Sequence, residues 1–332
     1  MDILNNAVIT YDCIKASVDV TEKELSDFSV EKGDILFQRS SETLEDVGRA
    51  NVYMDDKTSV FGGFVIRGKK KGEYDPQYFN YLLRSPFARK RIIPMGAGAQ
   101  HFNIGQEGLS KVKLHFANIE EQKKIGKMLS LLDERIATQN KIIDKLQSLI
   151  KGISSRIFAS IQGIEYRMGD IVTITNGNSN VQDAVTQSKE GLYPFFDRSE
   201  DIKYLPTFLF DKEAIIYPGE GTEFMPRYFK GKFALHQRCY AIFDFNEIIN
   251  ARFLYFYLKT RNSYFVKNAV GSTVPSLRLD TFQKLKVIIP PTKTQHSVSS
   301  CLSSMEQKCN VEKKILHKLL KQKQYLLRQM FI

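Results

Sequence analysis

Two pairs of polar loops carry the side chains best suited to reading another molecule. Gln38-Arg39-Ser40-Ser41 follows the apolar run Gly33–Phe37, and Pro218-Gly219-Glu220-Gly221-Thr222 follows Ala214–Tyr217. A second pair is Gly96-Ala97-Gly98-Ala99-Gln100-His101-Phe102-Asn103 and Gly271-Ser272-Thr273-Val274-Pro275-Ser276-Leu277-Arg278. Glycine lets a backbone approach a ligand closely. Gln, Asn, Ser, Thr and Arg hydrogen-bond base edges or phosphates. Basic clusters lie near these loops: Lys69-Lys70-Lys71, then Arg84, Arg89, Lys90 and Arg91, and later Lys259, Arg261 and Lys267. A solvated helix face would explain such clusters if they stood alone. The candidate nucleic-acid contacts are Arg39, Ser40, Gln100, His101 and Asn103 in one set. In the other they are Thr222, Arg227, His236, Arg238, Ser276 and Arg278.

Motifs for bond-making chemistry are missing from the sequence. There is no GxxxxGK phosphate loop, and Gly219-Glu220-Gly221-Thr222 puts an acid where phosphate would sit. No GxGxxG follows a strand, and no Asn-Pro-Pro-aromatic or Asp-Pro-Pro-aromatic loop is present; Asp75-Pro76 reads as a helix start. The five histidines show no metal-ligand spacing, and Cys13, Cys239, Cys301 and Cys309 are scattered. The expectation is a non-catalytic chain without cofactor or metal, placed in a reducing cytoplasm. No secretory leader and no membrane-spanning apolar run are visible. With 48 basic against 37 acidic residues the net charge is +11, which suits a polyanionic partner.

The elements that must position these loops repeat. Tyr78–Ser85 recurs 175 residues later as Phe253–Thr260. The same shift places Gly96 on Gly271, Ile104 on Leu279, and Lys111–Leu114 on Lys286–Ile289. A shift of 173 aligns Gln122 with Gln295 and Phe158 with Phe331. After each copy comes a heptad seam: Ile125, Leu129, Leu132, Ile136, Gln139, Ile143, Leu146, Ile150, Ile153, Ile157, and Val298, Leu302, Met305, Cys309, Glu312, Leu316, Leu319, Lys323, Leu326, Met330. Neither seam contains proline, so two long helices are expected, paired antiparallel. Lengthening both by one turn should add ~5.4 Å, about 1.6 base pairs, between whatever the two domains read.

The expected fold class is α+β: two repeated strand-rich domains separated by two long antiparallel coiled-coil helices. The boundaries expected are 1–118 for the first domain, 119–158 for the first helix, 159–293 for the second domain and 294–332 for the second helix. Closing strands are expected at Val112–Phe116 and Leu285–Ile289. Helix and strand patterns do not alternate regularly, which argues against a doubly wound sheet.

These features resemble the specificity subunit of type I restriction-modification systems. The resemblance rests on Gly33–Ser40, Phe61–Arg67, Gly231–Tyr240, the joining segment Glu120–Ile125 and the repeated helix. It implies two target-recognition domains, each reading half of a split duplex DNA sequence, in a host-defence complex. It also implies docking of two methyltransferase subunits, which carry the S-adenosylmethionine site, and of a restriction and translocation subunit. Docking is assigned to the helices bearing Ile125, Leu129, Leu132, Ile136, Leu302, Leu316, Leu319 and Leu326. One departure stands out: residues 164–180 have no equivalent in the first copy, so the first domain reads as truncated or as borrowing a strand. The alternative is an assembly scaffold whose incomplete first domain reads nothing. A self-contained restriction enzyme is disfavoured by the missing motifs.

Overall fold

The two heptad seams become the longest elements of the chain. In the computed structural model, which describes residues 2–331, helix α2 spans Ile119–Ser160 and helix α4 spans Thr292–Gln329. The 42 residues of α2 make a rod of about 63 Å. Asn118 Oδ1 caps its start by accepting from Glu121 N at 3.0 Å, and Glu120 and Glu121 favour that end of the helix dipole. Pro290-Pro291 stops any earlier start of α4. The chain divides into two compact units, Met1–Lys141 with Lys313–Ile332, and Ile142–Glu312, so each long helix contributes to both.

In the first unit, strands β1 (Ile35–Gln38), β2 (Ala50–Val52) and β3 (Val65–Gly68) form an antiparallel sheet of order β2-β1-β3. Helix α1 (Pro76–Arg84) begins with Asp75 Oδ1 accepting from Tyr78 N at 2.7 Å. Its apolar side buries Tyr78, Tyr81 and Leu82 against Ile125 and Leu129 of α2 and against Leu326, Leu327, Met330 and Phe331. Asp133 takes part in the same packing, accepting from Tyr81 Oη at 2.8 Å and pairing with Lys323 at 2.5 Å. Within this unit α2 and the end of α4 therefore run antiparallel: Asp133 meets Lys323 while Ile125 and Met330 share one cluster.

The second unit is larger. Its strands are β5 (Ile164–Arg167), β6 (Thr173–Asn176), β7 (Tyr193–Phe196), β8 (Lys203–Leu205), β9 (Phe210–Pro218), β10 (Arg227–Leu235), β11 (Cys239–Phe243) and β12 (Lys286–Ile289). In the first unit, the two-residue strand β4 (Phe102–Asn103) pairs with Ser40–Ser41. Six strands make one sheet of order β8-β7-β10-β9-β11-β6, and β12 pairs with β5 separately. Helix α3 (Ala251–Lys259) is buried on almost every side, with Phe253, Leu254, Phe256 and Leu258 each at 1% exposure or less. Phe158, near the end of α2, packs edge-on against Phe253 and Tyr257. Phe331 contacts Tyr78 in the first unit in the corresponding way.

The sheets share the core order β2-β1-β3 and β10-β9-β11. The second unit adds β6 beside β11 and β5 beside β12, and both come from the single segment Ile164–Asn176. This explains a failed expectation. Val112–Phe116 is not a strand, because the strand that would pair with it has no counterpart among the described residues of that unit. A β-strand exists only through a partner's hydrogen bonds. The register of the repeat is also corrected. The short helices Gln106–Ser110 and Leu279–Gln283 stand 173 residues apart, not 175, as do the ion pairs Lys111–Glu107 and Lys284–Asp280.

Candidate nucleic-acid interface

In the first unit, Ala97 N donates to Asn103 O at 2.9 Å and Asn103 N donates to Ala97 O at 2.8 Å, closing a small hairpin. Ile104 N then donates to Arg39 O at 2.9 Å, which fastens that hairpin to the end of β1. Ser40 Oγ bonds Asn103 Oδ1 at 2.5 Å. Gly98 turns the chain at φ +141°, and a Cβ there would lie 2.0 Å from the His101 carbonyl oxygen. Only glycine fits. Arg39, Gln100, His101 and Asn103 are exposed, and Ser40 is half-buried beside them. Among the described residues the Arg39 guanidinium makes one long contact, 3.5 Å to Gly63 O, which leaves most of its donor fork available.

The second unit repeats this construction. Val270 N and Ser276 N exchange bonds with Ser276 O and Val270 O at 2.9 Å each, and Leu277 N donates to Gly219 O at 2.8 Å. Gly271 takes φ +107°. A Cβ on Gly219 would lie 1.8 Å from the Arg238 carbonyl, so backbone meets backbone directly there. Arg238 Nη1 pairs with Glu220 Oε1 at 2.6 Å, the arginine side chain being 62% exposed and the glutamate 16%. Arg238 N donates to His236 Nδ1 at 3.2 Å. Burial, aided by the Arg238 charge, lowers the His236 pKa. The imidazole is therefore neutral near pH 7, and because Nδ1 accepts, Nε2–H remains as a donor.

The candidates do not all have the same standing. Arg39, Ser40, Gln100, His101 and Asn103 come together, as do His236, Arg238 and Ser276. Thr222 is exposed in the Gly219–Glu223 loop, and Arg278 is exposed directly after the docked Leu277. Arg227 is committed inward: its guanidinium donates to the carbonyls of Asp197 and, at 2.8 Å, Ser199, and it lies over the Phe196 ring. It shapes the 197–202 turn. All eight helix residues assigned to docking are buried or half-buried, with Leu129 and Leu302 at 0% and Leu319 at 5%. The exposed large apolar side chains of the same helices are Met128, Leu131, Ile142, Leu149, Ile153, Val311, Leu320 and Tyr325 among the described residues.

Two supporting groups escaped the sequence reading: Glu220, which orients Arg238, and Asp197. The Asp197 carboxylate accepts from Lys203 Nζ at 2.6 Å, Ser199 N at 2.8 Å and Ser199 Oγ at 2.5 Å. Burial opposes its charge, but Lys203 and Ser199 outweigh burial and hold its pKa below the ordinary value. A carboxyl depressed in this way adds stability above its unfolded pKa of about 3.9 and loses it as pH falls through the folded value. Thermal midpoints between about pH 7 and pH 3 should therefore fall more steeply for the native chain than for Asp197→Asn. Parallel curves would remove Asp197 as a source of the acid sensitivity.

Residues 1–148 and 164–321 match the family model described as the type I restriction modification DNA specificity domain. The chain belongs to this family. It is 28% identical over 138 residues to the type I restriction enzyme EcoDI specificity subunit of Escherichia coli, covering 42% of this chain and 30% of that protein. It is 30% identical over 144 residues to the putative type I restriction enzyme MjaX specificity subunit of Methanocaldococcus jannaschii, covering 42% and 33%. The matched segment thus spans about a third of each relative's length. In fold, the chain is similar to the type I restriction-modification S subunit from M. genitalium, with TM-score 0.63 at 19% identity over 92% of this chain and 84% of that one. A structure titled for the complex assembly and conformational transition of the type I R-M system gives TM-score 0.57 at 13% identity, covering 91% and 82%. What the family description names is specificity, not catalysis. Among the described residues no helix is long and apolar enough to cross a membrane.

Proposed function

We propose that this specificity-domain chain reads a two-part duplex DNA target for a type I restriction-modification complex, each unit contacting one half-site. The observation that carries this reading is the duplicated hairpin. Ala97–Asn103 and Val270–Ser276 are closed by the same pair of bonds and fastened by the same third bond, Ile104 to Arg39 and Leu277 to Gly219. One hairpin brings Arg39 and Asn103 together, while Arg238 and Ser276 adjoin the other, all residue types that bond base edges. A net charge of +11 supplies the sequence-independent attraction to phosphates.

The partners in this reading are two methyltransferase subunits and a restriction and translocation subunit, docked on the exposed faces of α2 and α4. The chemistry and any cofactor belong to those subunits, in the cytoplasm with their DNA. The recognition domains correspond to 1–118 and 159–293, joined by helical segments 119–158 and 294–332. Sequencing modified adenines in DNA exposed to the assembled complex tests the reading. Arg238→Ala should relax discrimination at one position by ~1–3 kcal/mol and leave the other half-site intact; Arg39→Ala should do the converse. Unchanged motifs in both variants would remove these arginines as readers. A second reading is favoured by the stretch 113–116, with which no strand pairs among the described residues: the first unit then serves only for assembly, and the methylated motif shows one defined half.

A further inference from the structure

The two hairpins are fastened at equivalent places, so the residues around them correspond one by one. Ile104 N bonds the Arg39 carbonyl and Leu277 N bonds that of Gly219, which makes Arg39 and Gly219 counterparts. Beyond the strand pair Gln38↔Val65, Arg39 N donates to Phe64 O at 2.9 Å, so Phe64 stands opposite Arg39. Beyond Pro218↔Cys239, the Arg238 carbonyl stands opposite Gly219 in the same way. Phe64 therefore occupies the place of Arg238. One step further along, Ser40 pairs with Asn103 as Glu220 pairs with Ser276. The arginine and its orienting glutamate in the second unit are thus phenylalanine and serine in the first. The first unit's arginine sits instead on the facing strand, where the second unit has glycine.

Phe64 is 78% exposed, more than any other large apolar side chain among the described residues. It follows Gly62 and Gly63, where an added Cβ would meet nothing within 4 Å, so the approach along this turn is unobstructed. Arg39 Nη1 reaches Gly63 O at 3.5 Å, which sets the guanidinium beside the same turn. We infer that Phe64 is a base-reading residue of the first unit, its ring packing against the C5 methyl of a thymine in the major groove, beside the base that Arg39 bonds. The inference rests on the reading of the first unit as a half-site reader. Thymine's methyl is the apolar group that base pairs present in the major groove, and phenylalanine is among the side chains that meet it. Arginine and asparagine bond guanine and adenine edges in that same groove, so Phe64, Arg39 and Asn103 suit one surface of the duplex. Covering the ring also removes apolar area from water, which favours the bound state.

The test uses the full-length chain in its assembled complex and duplexes bearing the motif that sequencing of modified adenines defines. Each thymine of the first half-site is replaced in turn by deoxyuridine, which lacks only the C5 methyl. One replacement should weaken binding about fourfold, the size of one buried methyl group. Phe64→Ala, a change at an exposed side chain, should weaken binding to the native duplex and become indifferent to that replacement. Uridine duplexes bound as tightly as the native one, an equal uridine penalty in Phe64→Ala, or a first half-site without an A·T pair would overturn the inference. So would a Phe64→Ala chain that loses the other subunits of the complex while keeping its DNA affinity. A variant that straightens a bent duplex without coupling to any thymine would overturn it too, since that marks a wedge between base steps. If the DNA reading itself fails, Arg39→Ala leaves the motif unchanged. If this inference alone fails, Arg39→Ala still relaxes the first half-site.

Discussion

Replacing Gln295 with alanine should lower the unfolding free energy of the second unit by about 3 kcal/mol, and Gln122→Ala should do nearly the same in the first. Gln295 is fully buried and Gln122 is 2% exposed. Gln295 Oε1 accepts from Asn250 N at 2.7 Å, while its amide donates to Ile248 O at 2.8 Å and Pro290 O at 2.9 Å. Gln122 accepts from Asp75 N at 3.0 Å and donates to Ala117 O at 2.7 Å. Asp75 and Asn250 are the caps of α1 and α3, so each glutamine ties a long helix to the cap of the buried aromatic helix beside it. Truncation leaves a buried N–H and one or two carbonyls without partners and opens a cavity, and each orphaned group costs about 1–3 kcal/mol. Gln295→Glu keeps the shape but loses the amide donor and buries a charge, so it should be at least as damaging. Denaturant unfolding followed by far-UV circular dichroism measures this. A loss below about 0.5 kcal/mol would show that the bonds contribute nothing beyond what water supplies.

Gly98→Ala and Gly219→Ala should each weaken binding of one half-site by about 3 kcal/mol, roughly a hundredfold, with the fold retained. The added Cβ atoms would meet backbone oxygen atoms at 2.0 Å and 1.8 Å, and backbone cannot swing aside as a flexible side chain does. At Gly98 the left-handed φ adds a strain of about 1–2 kcal/mol for any other residue. The hairpin must open, and it carries Gln100, His101 and Asn103 away from Arg39. At Gly219 the displaced group is the Arg238 backbone itself. Gly105 is the control, because an added Cβ there meets nothing within 4 Å. Competition binding with half-site variants separates the outcomes: Gly98→Ala should reduce discrimination at one half and Gly219→Ala at the other. Native affinity in both would mean that the hairpins do not touch DNA.

The repeat was legible where burial constrains residue type. The aromatic helices, the two glutamines and Phe158 with Phe331 all sit inside, and their spacing survives as readable correspondences. The exposed stretch 96–114 was read two residues out of register, since solvent-facing side chains leave little trace of alignment. A 3-10 turn at Ile93–Met95 in the first unit accounts for the slip. The heptad seams correctly marked two long helices. That Leu129 and Leu302 pack into the clusters around α1 and α3 was invisible, because an apolar stripe does not name what covers it. Arg227 resembles a reader by type and place, whereas its two carbonyl partners and the Phe196 ring beneath it turn its guanidinium inward, which no sequence pattern announces. The missing strand at Val112–Phe116 was illegible for another reason: the residues suit a strand, but pairing depends on a segment elsewhere.

From Ala97 to Phe158, the two copies keep a constant separation of 173 residues through hairpin, short helix, glutamine anchor and long helix. Upstream the separation drifts between about 175 and 180, as with Tyr78 and Phe253 or Arg39 and Gly219. In genetic terms, the stretch of constant length is a safe exchange point. A crossover with a related gene at matched codons joins complete structural parts without an insertion or deletion. The glutamine anchor and helix seam then accept whatever variable sheet and loops lie upstream. Inheritance can shuffle these modules while the frame that holds them stays unchanged.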